Sequence, residues 1–249
     1  MNKKHGNQDL RTKVGKKKDR MVGSNAEEVA SWYFRLNGFF QIPGFVIHPD
    51  FKSHFPRTEA DLIGVRFPLS QEIINGKPLE DDNWISKCEN QIQFILVEVK
   101  TGLCDINGPW SNPEKENMQR VIRRLGFASD DKINNIATAM YNNLRYEDDT
   151  HILQYVAVGG KINQVLAGKY KGLMQITWET IGDFIFNRFD AFPEKLPEGP
   201  VNKSEIADVL CLWPGFGDYF VKKYVDGKIT NGNDAYDAID KYINLPRGK

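Results

Sequence analysis

The segment 94–100, with the sequence FILVEVK, is the feature that most constrains how this chain can fold. Its nearly continuous apolar character is typical of a strand buried on both faces, which predicts a central position in a sheet. Glu98 and Lys100 interrupt the apolar run, and strand alternation places them on one face, about 7 Å apart along the strand. A carboxylate in a buried strand is costly unless it is paired or holds a metal. The segment therefore predicts a sheet and, at Glu98, a chemically special position.

The composition is that of an ordinary soluble globular protein, with 41% hydrophobic and 27% charged residues in a chain of 249. A chain of this length buries a substantial core without disulfide or metal staples. No apolar run approaches the roughly 18 residues that cross a bilayer, and no apolar stretch follows the Lys-rich N-terminus as in a secretory signal. The three cysteines form no C-x-x-C pair, which argues against a disulfide framework and a zinc site. We therefore expect a cytoplasmic protein with no membrane partner.

The N-terminal segment 1–20 differs sharply in charge from the rest of the chain. It carries eight basic and two acidic side chains, a net charge of +6, although the whole chain is neutral. Two interpretations stay open for this basic tail. It is either an arm that binds a polyanion such as nucleic acid, or a solvated terminus that keeps the protein soluble.

Hydrophobic periodicity predicts alternating helices and strands along the chain. The predicted helices cover 23–38, 113–126, 133–146 and 180–189, and the predicted strands cover 39–47, 58–67, 94–100, 152–158 and 173–178. This order predicts an α/β protein with a mixed β-sheet flanked by helices. The polar stretch 70–90 is typical of a loop or hairpin inserted between strands. We expect an α/β core over 21–192, then a Pro-rich linker and a small helical extension over 193–249, with helices at 204–212 and 235–243.

Two further segments place acids where a buried element should be apolar. On the predicted first helix, Glu27 shares a stripe with Ala30 and Phe34 and so faces the body, whereas the spacing of Glu28 predicts that it faces water. Asp61 stands at the threshold of an apolar strand.

If the strands of Asp61 and Glu98 are neighbours, their two carboxylates converge. Such a pair suits Mg²⁺, a hard cation that takes oxygen ligands and keeps waters for a phosphate substrate. Lys100 is then placed to assist a metal-bound water or to neutralise charge on a phosphate. The alternative is a surface ion pair between Glu98 and Lys100, with Asp61 merely beginning its strand.

Taken in order, three segments resemble the motifs of the PD-(D/E)XK nuclease superfamily. They are G-x-x-A-E-x-x-A at 23–30, E-A-D-L-I-G-V at 59–65 and V-E-V-K-T-G at 97–102. The resemblance covers about residues 23–160 and is to the group that includes archaeal Holliday-junction resolvases and small bacterial nucleases. It implies a restriction-endonuclease-like fold and a metal-dependent nuclease.

Under this resemblance, Asp61 and Glu98 are metal ligands together with the main-chain carbonyl of Val99. Lys100 is the catalytic lysine, and Glu27 completes or supports the site. The implied cofactor is Mg²⁺, with Mn²⁺ as a substitute. This chain departs from the pattern in two respects: no proline precedes Asp61, and Glu98 follows Asp61 by 37 positions, which requires an insertion.

Some members of this superfamily also carry a glutamine on the helix after the E-x-K strand. Gln119 occupies such a helix here, and Arg123 follows it at i+4 on the same face. Either the two side chains contact a substrate phosphate or order the site, or they belong to an ordinary polar helix face. Both interpretations stay open.

The sequence thus predicts a Mg²⁺-dependent nuclease that hydrolyses phosphodiester bonds in DNA. The alternative is a catalytically inactive module of nuclease fold that binds nucleic acid or a protein partner in a larger assembly. A homodimer or a larger assembly is compatible with either function.

Overall fold

The structure, a computed structural model, describes residues 24–48, 57–74, 76–86, 90–191, 195–196, 199–200 and 215–246. The basic tail 1–20 and the predicted helix 204–212 lie outside the described residues. So do two of the three cysteines, Cys88 and Cys211, whereas Cys104 is buried and has a free thiol.

The first half of the chain builds two helices, one long and one of a single turn, and the strands that carry the acidic motifs. Its elements are α1 (Asn25–Leu36), β1 (Phe40–Ile47), β2 (Thr58–Arg66), the short pair β3 (Ile73–Ile74) and β4 (Lys77–Pro78), α2 (Asn83–Ser86) and β5 (Ile92–Val99). The polar insertion thus contains a hairpin, as predicted, and also one helical turn, which was not predicted.

The second half adds the helical crossover, three further strands of the sheet, a short strand pair and the C-terminal helices. After two 3₁₀ turns (Gly108–Trp110 and Pro113–Lys115) come α3 (Asn117–Leu125), α4 (Asp130–Asn143), β6 (Arg145–Glu147), β7 (His151–Gly159), α5 (Gln164–Lys169), β8 (Met174–Thr177) and α6 (Trp178–Asp190). The last elements are the pair β9 (Lys195–Leu196) and β10 (Gly199–Pro200), then α7 (Phe216–Val225) and α8 (Gly232–Ile243).

Six strands form one open, mixed sheet in the order β1-β2-β5-β7-β6, with β8 also paired to β7. The strands β1, β2 and β5 are antiparallel neighbours, whereas β5 and β7 are parallel and are joined through α3 and α4. A parallel neighbour requires such a crossover connection. The predicted α/β architecture with a mixed sheet and the central position of β5 are both confirmed.

Hydrophobic clusters cover both faces of the sheet. The alternating side chains of β5 show the division, because Val97 and Val99 join the cluster beneath α1 and α6, while Phe94 and Leu96 join the cluster beneath α3 and α4. By the same alternation Glu98 lies on the face of Leu96. The carboxylate therefore points towards the α3 and α4 side of the sheet.

The C-terminal helices α7 and α8 pack into the same core as α1 and α6. Trp32 of α1 lies edge-on to Phe216 of α7, with ring centroids 5.3 Å apart. Helices α6 and α8 approach so closely that a Cβ at Gly182 would lie 2.9 Å from the backbone nitrogen of Tyr236. The helical extension expected from the sequence thus packs directly on α1, near the beginning of the described residues.

The second crossover helix begins and ends three residues before the predicted span 133–146, at Asp130 and Asn143. Leu144 takes a left-handed conformation, φ 59°, and its N–H still donates to the carbonyl of Met140. This ends α4 and turns the next residues into β6, which pairs with β7. Helices α5 and α7 were also not predicted. The cap at Asn163, whose side chain accepts from the N–H groups of Val165 and Leu166, is the local signal for α5.

Candidate functional site

The sheet register brings Asp61 and Glu98 together. Leu62 of β2 pairs with Val97 of β5 in an antiparallel ladder, so Asp61 falls beside Glu98 at the next position. The backbone N–H of Val99 donates a hydrogen bond of 2.7 Å to Oδ2 of Asp61. The two strands are therefore neighbours. This adjacency was required for the two carboxylates to converge.

Glu98 is enclosed by polar partners at the centre of the site. Its side chain is only 1% exposed. Oε1 accepts from Lys100 Nζ at 2.5 Å and also from Nδ2 of Asn107, while Oε2 accepts from the hydroxyl of Tyr155 at 3.4 Å. Lys100 is 34% exposed. The pair is thus not a surface ion pair: its carboxylate is buried, and its ammonium reaches the opening of the site.

Burial shifts the pKa of both carboxyl groups upwards. Desolvation raises the pKa of Asp61 to about 6, opposed by the hydrogen bond from Val99 and reinforced by the charge of Glu27. Desolvation and then repulsion by Asp61 raise the pKa of Glu98 to about 7, opposed by Lys100 and Tyr155. Two desolvated carboxyl groups that resist ionising together are typical of functional sites.

The donor set of this site fits a hard divalent cation. Oδ1 of Asp61 accepts no hydrogen bond from any described residue, and a cation would relieve the repulsion between the carboxylates of Asp61 and Glu98. Within the described ranges, no group of three or more His, Cys, Asp or Glu side chains is arranged to hold a metal ion. Mg²⁺ is commonly held by one or two carboxylates and several waters, so the pair is sufficient for it.

Glu27 has a structural role in addition to its place near the site. Its Oε1 accepts from the N–H of Ser24 at 2.9 Å, and Oγ of Ser24 accepts from the N–H of Glu27 at 3.2 Å. This reciprocal capping box begins α1. The charge of Glu27 also raises the pKa of Asp61. The side chain therefore acts electrostatically on the site from the end of a helix that it helps to form.

The prediction that Glu28 faces water is wrong. Its Oε1 accepts from the N–H of Phe216 at 2.7 Å, and its Oε2 accepts from the hydroxyl of Tyr242 at 2.9 Å. Helices α7 and α8 cover this side of α1, so the helix has no free polar face at Glu28. A Cβ at Gly215 would lie 1.8 Å from Oε1 of Glu28, so the approach also requires glycine there.

Gln119 and Arg123 lie on α3 and are engaged with α4. Oε1 of Gln119 accepts from the hydroxyl of Tyr141 at 3.1 Å. Arg123 Nε lies 3.4 Å from a carboxylate oxygen of Asp130, and both side chains are exposed. No contact between described residues joins either side chain to Asp61. Their substrate-binding role stays a prediction.

The sequence did not indicate two residues of the site, Asn107 and Tyr155. Tyr155 is fully buried on β7, where it lies opposite Leu96 in the parallel ladder and reaches Glu98 diagonally. The only signal for Tyr155 was a hydroxyl within an apolar strand. Asn107 lies in the loop after β5, and no periodic pattern marks it.

Comparisons with models of known families, with curated proteins and with solved structures find no match to this chain. In the part of the chain that the structure describes, no helix combines the length and the apolar character needed to cross a membrane. Function is therefore inferred from the geometry of the site.

Proposed function

We propose that the protein is a metal-dependent nuclease with a restriction-endonuclease-like fold that hydrolyses phosphodiester bonds in DNA. One observation carries the proposal: Asp61 and Glu98 stand side by side on adjacent strands, with the ammonium of Lys100 at the opening of the same site. The pair of acids and the amine are in the order and on the elements that the family resemblance implies. The mixed sheet supports the proposed fold.

The two acids have the properties of cation ligands. Asp61 and Glu98, with the carbonyl of Val99, would hold Mg²⁺ or Mn²⁺. Such an ion supplies a Lewis acid for the phosphate and an acidified water as nucleophile. Val99 orients Asp61 through its N–H, so the strand that carries one ligand also fixes the other.

Lys100 is suited to act on the substrate itself. Its ammonium is partly exposed, whereas its acceptors Glu98 and Asn107 hold it from the inner side. In this position it donates a hydrogen bond to a phosphate oxygen or to the attacking water, and its charge opposes the negative charge that develops on the phosphate. Tyr155 and Asn107 keep the carboxylate of Glu98 oriented meanwhile.

Strand β7 and the region that follows it support a polyanionic substrate. Residues 151–178 contain no acidic side chain and include Lys161, Lys169 and Lys171. Leu103 forms a parallel bridge with Lys161, which ties this region to the loop that follows Lys100. Phosphate contacts from lysines position nucleic acid without reading its sequence. The basic region therefore lies next to the end of the strand that carries the site.

A second candidate function is an inactive module of nuclease fold that binds nucleic acid or a protein partner. The buried carboxylate of Glu98 favours it, because Lys100, Asn107 and Tyr155 already satisfy both of its oxygens. With these partners, the carboxylate of Glu98 is a fully hydrogen-bonded member of a structural ion pair and needs no metal ion.

Cleavage of labelled substrates distinguishes the two candidates. Purified protein is incubated with duplex, single-stranded and branched DNA and with the matching RNA, each with Mg²⁺, Mn²⁺ or a chelator. The proposal predicts cleavage of at least one DNA substrate that the chelator abolishes and that Glu98→Gln abolishes. Binding of DNA with no cleavage under any metal condition would favour the inactive module and contradict the nuclease.

A further inference from the structure

We propose that Asn107 is the positioning residue of Lys100. Its side-chain amide holds the ammonium beside Glu98, and it keeps the ammonium there when the carboxylate engages another ligand. This inference rests on the proposed nuclease function and deepens it.

The three side chains form a closed ring of hydrogen bonds. Lys100 Nζ donates to Oε1 of Glu98 at 2.5 Å and to Oδ1 of Asn107 at 3.2 Å. Nδ2 of Asn107 donates to the same Oε1 of Glu98. Asn107 thus uses both ends of its amide, one as an acceptor for the cation and one as a donor to the anion. A primary amide is a neutral group that can do both at once, through its separate oxygen and nitrogen atoms.

Hydrogen bonds hold the backbone on both sides of Asn107. The side-chain amide therefore has a fixed position relative to Lys100 and Glu98. The carbonyl of Asn107 accepts from the N–H of Trp110, at 3.0 Å, in the 3₁₀ turn that Asn107 precedes. Trp110 is fully buried. On the other side of the loop, the N–H of Cys104 donates to the carbonyl of Lys161 at 2.8 Å. A side chain held between two anchored segments needs little ordering when the substrate binds.

The ring explains how Lys100 keeps its place during the reaction. Its two acceptors among the described residues are Glu98 and Asn107. Glu98 would share its carboxylate between the ammonium and a bound cation, and the contact with the ammonium would then be weaker. The neutral Oδ1 of Asn107 attracts a divalent cation less than a carboxylate does, and it remains as the acceptor that fixes the ammonium.

One substitution separates this role from a merely structural one. Asn107→Leu keeps the size of the side chain and removes both hydrogen bonds. Asn112→Ala is the matched control, because Asn112 lies in the same loop and, among the described residues, its side chain accepts only from the N–H of Glu114.

The first readout is cleavage of DNA with Mg²⁺. Asn107→Leu should lower kcat by about 100-fold, the loss expected when a catalytic group is misplaced by ~1 Å. Its KM should stay within about two-fold, because the group acts in the transition state and not in substrate binding. Asn112→Ala should match the wild type. Wild-type kcat in Asn107→Leu, or a change in KM alone, would overturn the assignment.

The second readout needs no activity. Metal-free protein is treated with acetic anhydride, and acetylation of Lys100 is followed by mass spectrometry. Lys100 should be acetylated faster in Asn107→Leu than in wild type and Asn112→Ala, because one of its two anchors is gone. Unchanged acetylation would overturn the inference. Absence of cleavage by the wild-type protein would contradict the proposed function instead, and acetylation would then decide the role of Asn107 independently.

Discussion

Asp61 accepts its 2.7 Å hydrogen bond from the backbone of Val99, on the strand that carries Glu98. The separation of the two carboxylates is therefore set by the register of β2 and β5, and not by flexible side chains alone. A site built on paired strands is rigid, which favours reactions that require ligands at fixed positions. Substitutions in the site should consequently alter its chemistry while leaving the sheet intact.

The raised pKa of Glu98 predicts a pH dependence of stability. The pKa is about 7 in the folded protein, above the usual 4.5, so the folded state binds a proton more tightly than the unfolded state. Metal-free protein should therefore lose free energy of unfolding as pH rises between about 5 and 7. The raised pKa of Asp61, about 6, acts in the same direction.

Urea titrations with a chelator at several pH values measure this loss. Glu98→Gln should flatten the pH dependence, whereas Glu114→Gln, at an exposed position, should leave it as in the wild type. A stability that rises over this pH range by an amount that Glu98→Gln abolishes would contradict the raised pKa.

Glu28 should contribute to stability and not to chemistry. Glu28→Ala removes the acceptor of the Phe216 N–H and the Tyr242 hydroxyl, so it should destabilise the protein by about 1–3 kcal/mol. Chemical denaturation measures the effect, with Glu179→Ala on the exposed surface of α6 as the control. Equal stability of the two variants would show that α7 and α8 do not depend on this carboxylate.

Two substitutions separate the capping role of Glu27 from its electrostatic role. Glu27→Gln keeps an oxygen that accepts from the Ser24 N–H, whereas Glu27→Ala abolishes the capping box and should cost about 1 kcal/mol. Both changes remove a negative charge close enough to act on Asp61, and that charge would also attract the cation, so both should reduce cleavage. If only the alanine variant loses activity, Glu27 acts through the helix end and not through its charge.

Removal of residues 1–20 should weaken DNA binding without changing the cleavage rate of bound substrate. Contacts between lysines and phosphates release counterions, so the truncated protein should also show a flatter dependence of affinity on salt. Fluorescence anisotropy at several salt concentrations measures both quantities. An unchanged salt slope would support the other interpretation, in which the basic tail serves solubility.

The acidic strands were predictable because their signals are local. The apolar run around Glu98 indicates a central strand, and Asp61 stands where a second apolar strand begins. The two carboxylates come together only if β2 and β5 are adjacent strands. The structure shows that they are. The ends of α1 followed from its capping residues.

The rest of the site depends on contacts that local patterns do not encode. Glu28 meets Phe216 across 188 positions of sequence, and Tyr155 meets Glu98 across 57. Helical spacing alone therefore assigned Glu28 to water. Asn107 acts through the position of an irregular loop, and loop geometry follows from the elements that anchor it. Such residues become visible only when the sheet has been assembled.

Single-turnover cleavage by wild-type protein, Asp61→Asn, Glu98→Gln and Lys100→Met, together with Mg²⁺ binding by each, tests the central claim most directly. The account predicts that all three variants fold and lose cleavage. Asp61→Asn and Glu98→Gln should also lose Mg²⁺ binding, whereas Lys100→Met should retain it. A structural ion pair predicts instead that Lys100→Met strands a buried charge and destabilises the protein by about 3–5 kcal/mol. Wild-type metal-dependent cleavage in any of the three variants would contradict the assignment of the site.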